Sequence, residues 1–400
     1  MKIAILTEYY PDAERPGRGV YVHLRAAGYR SAGHDVRVYR VRPGPTRSDE
    51  RDGVAVLSSG PIAAAADLGR FRPDVLALHT PYPGAPHTEL ARTVQRPRVV
   101  WIHGYEAMVT ALHGYHRGVR RALSLAGDAV KLWRLRRSLP DAAAVVFVSE
   151  WLRASVERTL RLRHPGARVI PNPVDTERFR PRAAGVPGAV GGSGAPARGS
   201  HRDAATGGSG HDTAAGRPGD GPAAVPRGLV LRPLDRIHGV DVAVEGFVGL
   251  STTELTVVGT GPDAAELRNR IEATGAPVRI EEREVPHAEV PDLLRDHDYY
   301  VSPERKTPTQ GVAMCEAMSC GLPVVAVRAG GVPEYARDGT DGHLIPRGRP
   351  EPLRDAVRRL VADPEAMRAM GRRARERIVQ TCSAERVTEA ELRVLREAVE

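Results

Sequence analysis

Cysteine is scarce in this chain of 400 residues: Cys315, Cys320 and Cys382 are the whole complement. Three thiols exclude a disulfide framework and most cysteine-ligated metal clusters, and they fit a reducing compartment. Long apolar runs are missing too. No stretch approaches the ~20 residues needed to span a bilayer. The opening MKIAILTEYY lacks the charged and extended apolar parts of a signal peptide and reads as a first strand, so a cytoplasmic location is expected. Lysine is also rare, with Lys2, Lys131 and Lys306 the only three among 58 basic residues. The net charge of +9 therefore comes from arginine, in a chain also rich in Ala, Gly and Pro. That bias is what GC-rich coding produces, so the charge is discounted as a mark of nucleic-acid binding, and no nucleic-acid partner is expected.

What is present has the scale of two or three domains at roughly 150 residues each. In the first part, near-continuous apolar runs recur at Lys2–Thr7, Asp35–Val41, Asp74–His79, Arg98–His103 and Ala144–Ser149. Such runs suit strands covered on both faces, hence a parallel sheet between helices. Helical stretches such as Val20–Gly33 and Arg117–Leu139 alternate with them, which predicts a doubly wound α/β domain over 1–172.

The alternation then stops. Residues 183–226 hold 12 Gly and 11 Ala, and no aromatic, Leu, Ile or Met. So little apolar surface cannot offset the entropy of ordering, which predicts a disordered linker or insertion. Strand-like runs resume at Leu229–Arg232, Leu255–Gly259, Val278–Glu281, Tyr299–Ser302 and Pro323–Val327. Helices are predicted at His238–Phe247, Ala264–Thr274 and Gly311–Ser319. A second α/β domain over 227–383 follows. Ligands in such sheets sit beyond the carboxyl ends of the strands, so a cleft between the two domains is the expected site.

Four groups of residues fall at those ends. Gly17 and Gly19 stand between the first strand and a helix, where backbone and helix amides can approach an anion. His103 ends the fourth strand-like run. Arg232 ends the strand Leu229–Arg232, with Arg236 and His238 after it; a guanidinium there suits phosphate. Gly311 and Val312 open a helix just past a strand, and Glu316 lies one to two turns in, where a carboxylate can accept from a vicinal diol such as ribose.

The run TQGVAMCEAMSCGLPVVAVRAGGVPE (Thr309–Glu334) resembles the nucleotide-sugar signature of the family-4-type retaining glycosyltransferases of GT-B fold. VIPNPVDTERF (Val169–Phe179), VVGTGPDAAELR (Val257–Arg268) and the early Gly17-x-Gly19 are similar to that family as well. The resemblance implies two Rossmann-like domains facing a cleft, with the donor held mainly by the second and the last helix, about 384–400, packing back on the first. It places Glu316 on the ribose, Gly311 and Val312 on phosphate or sugar, Arg232 on phosphate, Gly17 and Gly19 opposite the diphosphate, and His103 near the reacting sugar. Arg236 and His238 stand near the position of the family's phosphate-binding lysine. The implied reaction is retaining transfer of a hexosyl or amino-hexosyl group from a nucleoside-diphosphate sugar, UDP-linked in the first instance, to a hydroxyl. No cofactor and no metal are implied.

Two departures are visible. Pro308 stands eight positions before Glu316, where the family usually has an acidic residue on the donor sugar; Glu304 or Lys306 are the substitutes at hand. His238 replaces the usual lysine, with Arg236 or a partly protonated His238 to supply the charge. These departures and the arginine-rich bias suggest an antibiotic or aminocyclitol-type acceptor, with a cell-surface glycan or a lipid acceptor as alternatives. Three rival readings remain. Gly259-Thr260-Gly261 offers a nicotinamide enzyme only a partial fingerprint. Pro308 and His238 would suit a sugar-nucleotide binder without catalysis. The basic segment 117–139, with Lys131, Arg134, Arg136 and Arg137 beside Leu123, Val130 and Trp133, would suit a peripheral glycolipid enzyme lying on anionic lipid. Asp296-His297-Asp298 is read as a capping turn, not a metal motif.

Overall fold

Valine- and isoleucine-rich runs cannot leave either face in water, and the chain covers both faces with helices. The computed structural model describes residues 1–12, 15, 17–112, 118–182 and 225–400, with the backbone alone for 111 and 118–122. The Gly/Ala/Pro-rich stretch predicted to be disordered lies outside these, apart from 225 and 226.

The first part runs β1 (Lys2–Thr7), α1 (Val20–Ser31), β2 (Asp35–Val41), β3 (Arg47–Arg51), β4 (Val54–Ser59), α2 (Pro61–Phe71), β5 (Val75–His79), α3 (Pro86–Thr93), β6 (Arg98–Ile102), α4 (Gly118–Ser138), β7 (Ala144–Phe147), α5 (Glu150–Leu160) and β8 (Ala167–Val169). Its sheet has the order β3-β4-β2-β1-β5-β6-β7-β8. All pairs are parallel except β3 with β4. In the central strand Ile5 pairs with Val38 on one side and Ala77 on the other. The β3–β4 hairpin was not visible as a strand pattern. Every residue of β3, RSDER, is exposed, so no apolar alternation marks it. Charge along an edge strand blocks pairing with another chain.

The second part runs β9 (Arg227–Leu231), α6 (Val240–Phe247), β10 (Glu254–Val258), α7 (Ala264–Thr274), β11 (Val278–Glu281), α8 (Val290–Arg295), β12 (Tyr299–Ser302), α9 (Val312–Ser319), β13 (Val324–Val327), α10 (Val332–Tyr335), β14 (Gly342–Ile345), α11 (Pro350–Val361), α12 (Pro364–Cys382) and α13 (Ala384–Glu397). Its sheet is parallel throughout, in the order β11-β10-β9-β12-β13-β14.

In each sheet the strand order reverses about one strand. β1 lies between β2 and β5, and β9 lies between β10 and β12. A crevice forms at such reversals, because the connections leave to opposite faces.

Several contacts join the two parts. Val174 pairs with Ser383 in an isolated parallel bridge, so the two chain crossings lie side by side. The Glu334 carboxylate accepts from the amides of Glu150 and Trp151 at 2.8 Å each, capping the start of α5. The Tyr335 hydroxyl donates to the Val148 carbonyl. The last helix, α13, packs against the first sheet: Val387, Leu392 and Leu395 join Ile3, Val22 and Trp101 in one core.

Candidate active site

β1, β5 and β6 end on one side of a cleft of about 490 Å³, and β9 and β12 end on the other. Its walls include Gly17, His103, Arg232, Gly311, Val312 and Glu316, so six of the residues singled out by sequence meet there. Gly19, Arg236 and His238 do not line it. Gly19 caps α1 in a left-handed conformation, φ 75°, and a Cβ there would come within 2.4 Å of the Tyr9 carbonyl. Gly19 is thus needed for the turn, while Gly17, with open space around it, presents backbone to the cleft.

Arg232 follows β9 directly. Its side chain is 14% exposed and forms an ion pair with Glu304, which is buried. The guanidinium also donates to Ser302 Oγ at 3.3 Å, and that hydroxyl donates to Glu304 at 2.7 Å. Burial pushes the Glu304 carboxyl up, but Arg232, the Ser302 hydroxyl and Lys306 together hold it below its ordinary value. Glu304 therefore spends its charge on Arg232. The expectation that it replaces an acid at 308 meets this competing partner.

His238 is neutral near pH 7. Burial, Lys306 and Arg232 lower its pKa to about 4, against the pull of Asp235. This overturns the idea that it carries a partial charge. Its Nδ1 lies 2.6 Å from Asp235 and its Nε2 lies 2.8 Å from Lys306 Nζ. The cation beside Arg232 in the cleft is Lys306.

Pro308 presents no side-chain acceptor, yet its carbonyl accepts from the Gly331 amide at 3.1 Å. A Cβ on Gly330 would lie 1.8 Å from that same oxygen, so the signature's glycine pair lets the donor loop close down.

α9 starts at Gly311, φ 89°, so its first amides open toward the cleft. Glu316 is 7% exposed and its carboxylate meets His287 Nε2 at 2.7 Å. It is an inward-facing glutamate, and its partner His287 carried no sequence signal.

Across the cleft, His103 is held from three sides. Its Nδ1 lies 3.1 Å from Asn172 Oδ1, its Nε2 lies 3.1 Å from His79 Nδ1, and Tyr21 leans on its ring. Burial, then Arg25, keeps it well below the usual histidine range, so the imidazole is neutral. Asn172 was visible only as part of VIPNPVDTERF. It exchanges hydrogen bonds with Gln310, its amide donating to Oε1 at 2.7 Å and its carbonyl accepting from Nε2 at 3.2 Å. The residue before Gly311 is thereby tied to the residue beside His103.

The Asp296-His297-Asp298 triplet is absorbed by the turn into β12. Asp298 accepts from the Arg227 amide at 2.8 Å, and Asp296 pairs with Arg182.

Two family models cover most of the chain. The one described as glycosyltransferase family 4 matches residues 17–178, and the one described as glycosyl transferases group 1 matches 228–363. Alpha-maltose-1-phosphate synthase of Mycobacterium tuberculosis is 26% identical over 99% of both chains. The GDP-mannose-dependent alpha-(1-6)-phosphatidylinositol monomannoside mannosyltransferase of Mycolicibacterium smegmatis is 29% identical over 67% of this chain and 64% of its own. Among solved structures, sucrose-phosphate synthase of Thermosynechococcus elongatus superposes with a TM-score of 0.76 at 18% identity, covering 99% and 98% of the two chains. Anabaena HepE in complex with UDP-glucose gives 0.68 at 16%, covering 99% of both.

Proposed function

Since the chain belongs to the family-4-type glycosyltransferases of GT-B fold, we propose that it moves a hexosyl or amino-hexosyl group from a nucleoside-diphosphate sugar to a hydroxyl, with retention at the anomeric carbon. The observation that carries this is the meeting of Arg232, the open start of α9 and Glu316 around one cleft. UDP is the first nucleotide to test, because HepE is described in complex with UDP-glucose.

As the glycosidic bond breaks, negative charge grows on the β-phosphate. Arg232 and the Gly311–Val312 amides are aimed at that space before the reaction begins, and such preorganised donors usually supply the largest part of catalysis. Glu316 suits the ribose diol. The acceptor hydroxyl attacks the face the phosphate leaves, and the phosphate oxygen takes its proton. Neutral His103, with its two ring nitrogens held by Asn172 and His79, presents an uncharged ring to the sugar. No metal or cofactor is assigned to these steps.

A thermal-shift screen of nucleoside diphosphates and their sugars tests the reading. A cognate donor at about a hundredfold excess over Kd stabilises by roughly 2.7 kcal/mol, a rise of about 3–4 °C for a chain of this size. Transfer to a trial acceptor should then give a product whose anomeric proton coupling matches the donor's. A full panel without stabilisation or product would sink the proposal.

The surface of α4 favours a second reading for the acceptor. Leu123, Ala126, Val130 and Trp133 recur at spacings of three and four, so they share one face. That face is exposed, with Leu123 at 71% and Trp133 at 57%. Arg134, Arg136 and Arg137 flank it, and Arg137 covers the Trp133 ring at 5.1 Å. Lys131, expected among the surface charges, instead turns inward to Asp128 at 2.6 Å. Among the described residues no helix is long and apolar enough to cross a membrane. An apolar stripe with arginines at its edge suits the surface of an anionic bilayer, and with it a lipid acceptor. Vesicles containing anionic lipid should sediment the protein at low salt, and Val130→Asp with Trp133→Ser should weaken this at least about fivefold. No sedimentation at low salt would remove the lipid reading and leave the soluble acceptors.

A further inference from the structure

Position 238 raises the question of where the second phosphate-gripping charge has gone. We propose that Lys306 is that grip: its ammonium, presented from the opposite loop by the Asp235–His238 pair, binds the diphosphate of the donor beside Arg232. The inference rests on the proposed donor class and assigns one more residue to the same site.

The hydrogen bonds fix the direction of the relay. Asp235 caps the turn Arg236–His238, accepting from the His238 amide at 3.2 Å and sitting 2.6 Å from His238 Nδ1. With the Nδ1 proton donated to Asp235, the Nε2 lone pair is left to accept from Lys306 at 2.8 Å. One of the three ammonium donors is thus used for positioning, and Lys306 lines the cleft together with Arg232, Gly311 and Glu316. The backbone is held as firmly: the amides of Arg305 and Lys306 both donate to the Ile237 carbonyl at 3.0 Å. The loops carrying 238 and 306 are therefore tied together. A lysine at 238 would reach the same space from the other side.

The surroundings agree. Asp235, His238, Arg232 and Glu304 are the titratable groups acting on Lys306. Burial, then Arg232, lowers its pKa to about 8, against Glu304 and Asp235. A cation crowded against a second cation in a dry wall gains from an incoming anion.

The test is calorimetric titration of the full-length chain with the tightest of UDP, GDP and ADP and with the matching nucleoside. Lys306→Met should lower affinity for the diphosphate roughly 10–100-fold and leave the nucleoside unaffected, as expected for a lost charge-assisted contact. Lys306→Met with His238→Lys should recover most of that loss, because the charge returns from the other loop. In the unaltered protein, diphosphate affinity should fall as pH rises past about 8, where the ammonium loses its proton, and Lys306→Met should lack this step. Unchanged diphosphate affinity in Lys306→Met, equal losses for diphosphate and nucleoside, or no recovery in the double variant would each overturn the assignment. Failure of the unaltered chain to bind any of the three diphosphates would overturn the donor reading itself, and this assignment with it.

Discussion

Arg232→Ala is expected to lower turnover about 100- to 1000-fold, the usual cost of removing one preorganised donor to a developing oxyanion. It should also destabilise the fold. Arg232 is the ion-pair partner of Glu304, whose carboxylate is 1% exposed. A carboxylate left in that wall without its cation costs about 3–5 kcal/mol. Ser302 still donates to it, and Lys306 acts on it from nearby, so the lower end is expected. The two effects separate in a second variant. Arg232→Ala combined with Glu304→Gln removes the orphaned charge and should regain most of the melting temperature while turnover stays low. Melting curves and steady-state rates on the three proteins decide the matter. Near-normal turnover in Arg232→Ala would discard the phosphate role, and no thermal recovery in the double variant would discard the ion-pair account.

Glu391→Ala should have the largest effect on stability away from the cleft. Glu391 on α13 is fully buried, and its carboxylate accepts from Arg25 Nε at 2.7 Å, the Tyr29 hydroxyl at 2.6 Å and Trp101 Nε1 at 2.9 Å. Alanine leaves the Arg25 guanidinium buried without its counter-charge and two further donors without an acceptor. A loss of about 3–5 kcal/mol follows from the charge alone. Arg25 also donates to Asn172 Oδ1 at 3.1 Å, and the same oxygen meets His103 Nδ1. Loosening α13 should therefore reach the cleft and lower turnover as well. Denaturant titration followed by tryptophan fluorescence measures the first effect. Glu389→Ala, on the exposed face of the same helix, should change stability by no more than about 0.5 kcal/mol. Equal effects from both substitutions would contradict the buried anchor.

Where the chain signals its structure through local periodicity, reading it in order sufficed. Unbroken apolar runs marked β1, β2, β5, β6 and β7, because strands covered on both faces need them. The exposed β3, its hairpin partner β4 and the short β8 and β14 were missed; neither alternation nor length announces β3, β8 and β14, whereas β4 does begin with alternating burial. Arg232, Gly311 and Glu316 were legible because strand ends and helix starts fall at fixed places in an α/β unit. Asn172, Gln310 and His287 were not assigned, because nothing local distinguishes an amide or imidazole that closes a cleft from one in any loop.

The order of residues alone determined the alternation of strands and helices, the position of the anion-binding helix start and the family to which the chain belongs. Those features depend on neighbours a few positions away. Tertiary packing decided which charges meet. It set Glu304 against Arg232, turned Lys131 inward, and sealed α13 to the first sheet through Arg25 and Glu391, 366 positions apart. It also brought Lys306 to His238 across 68 positions. The physical reason is that burial energetics penalise an unpaired charge severely but do not specify which partner relieves it. Only the folded chain, by bringing distant side chains within 3 Å, makes that choice.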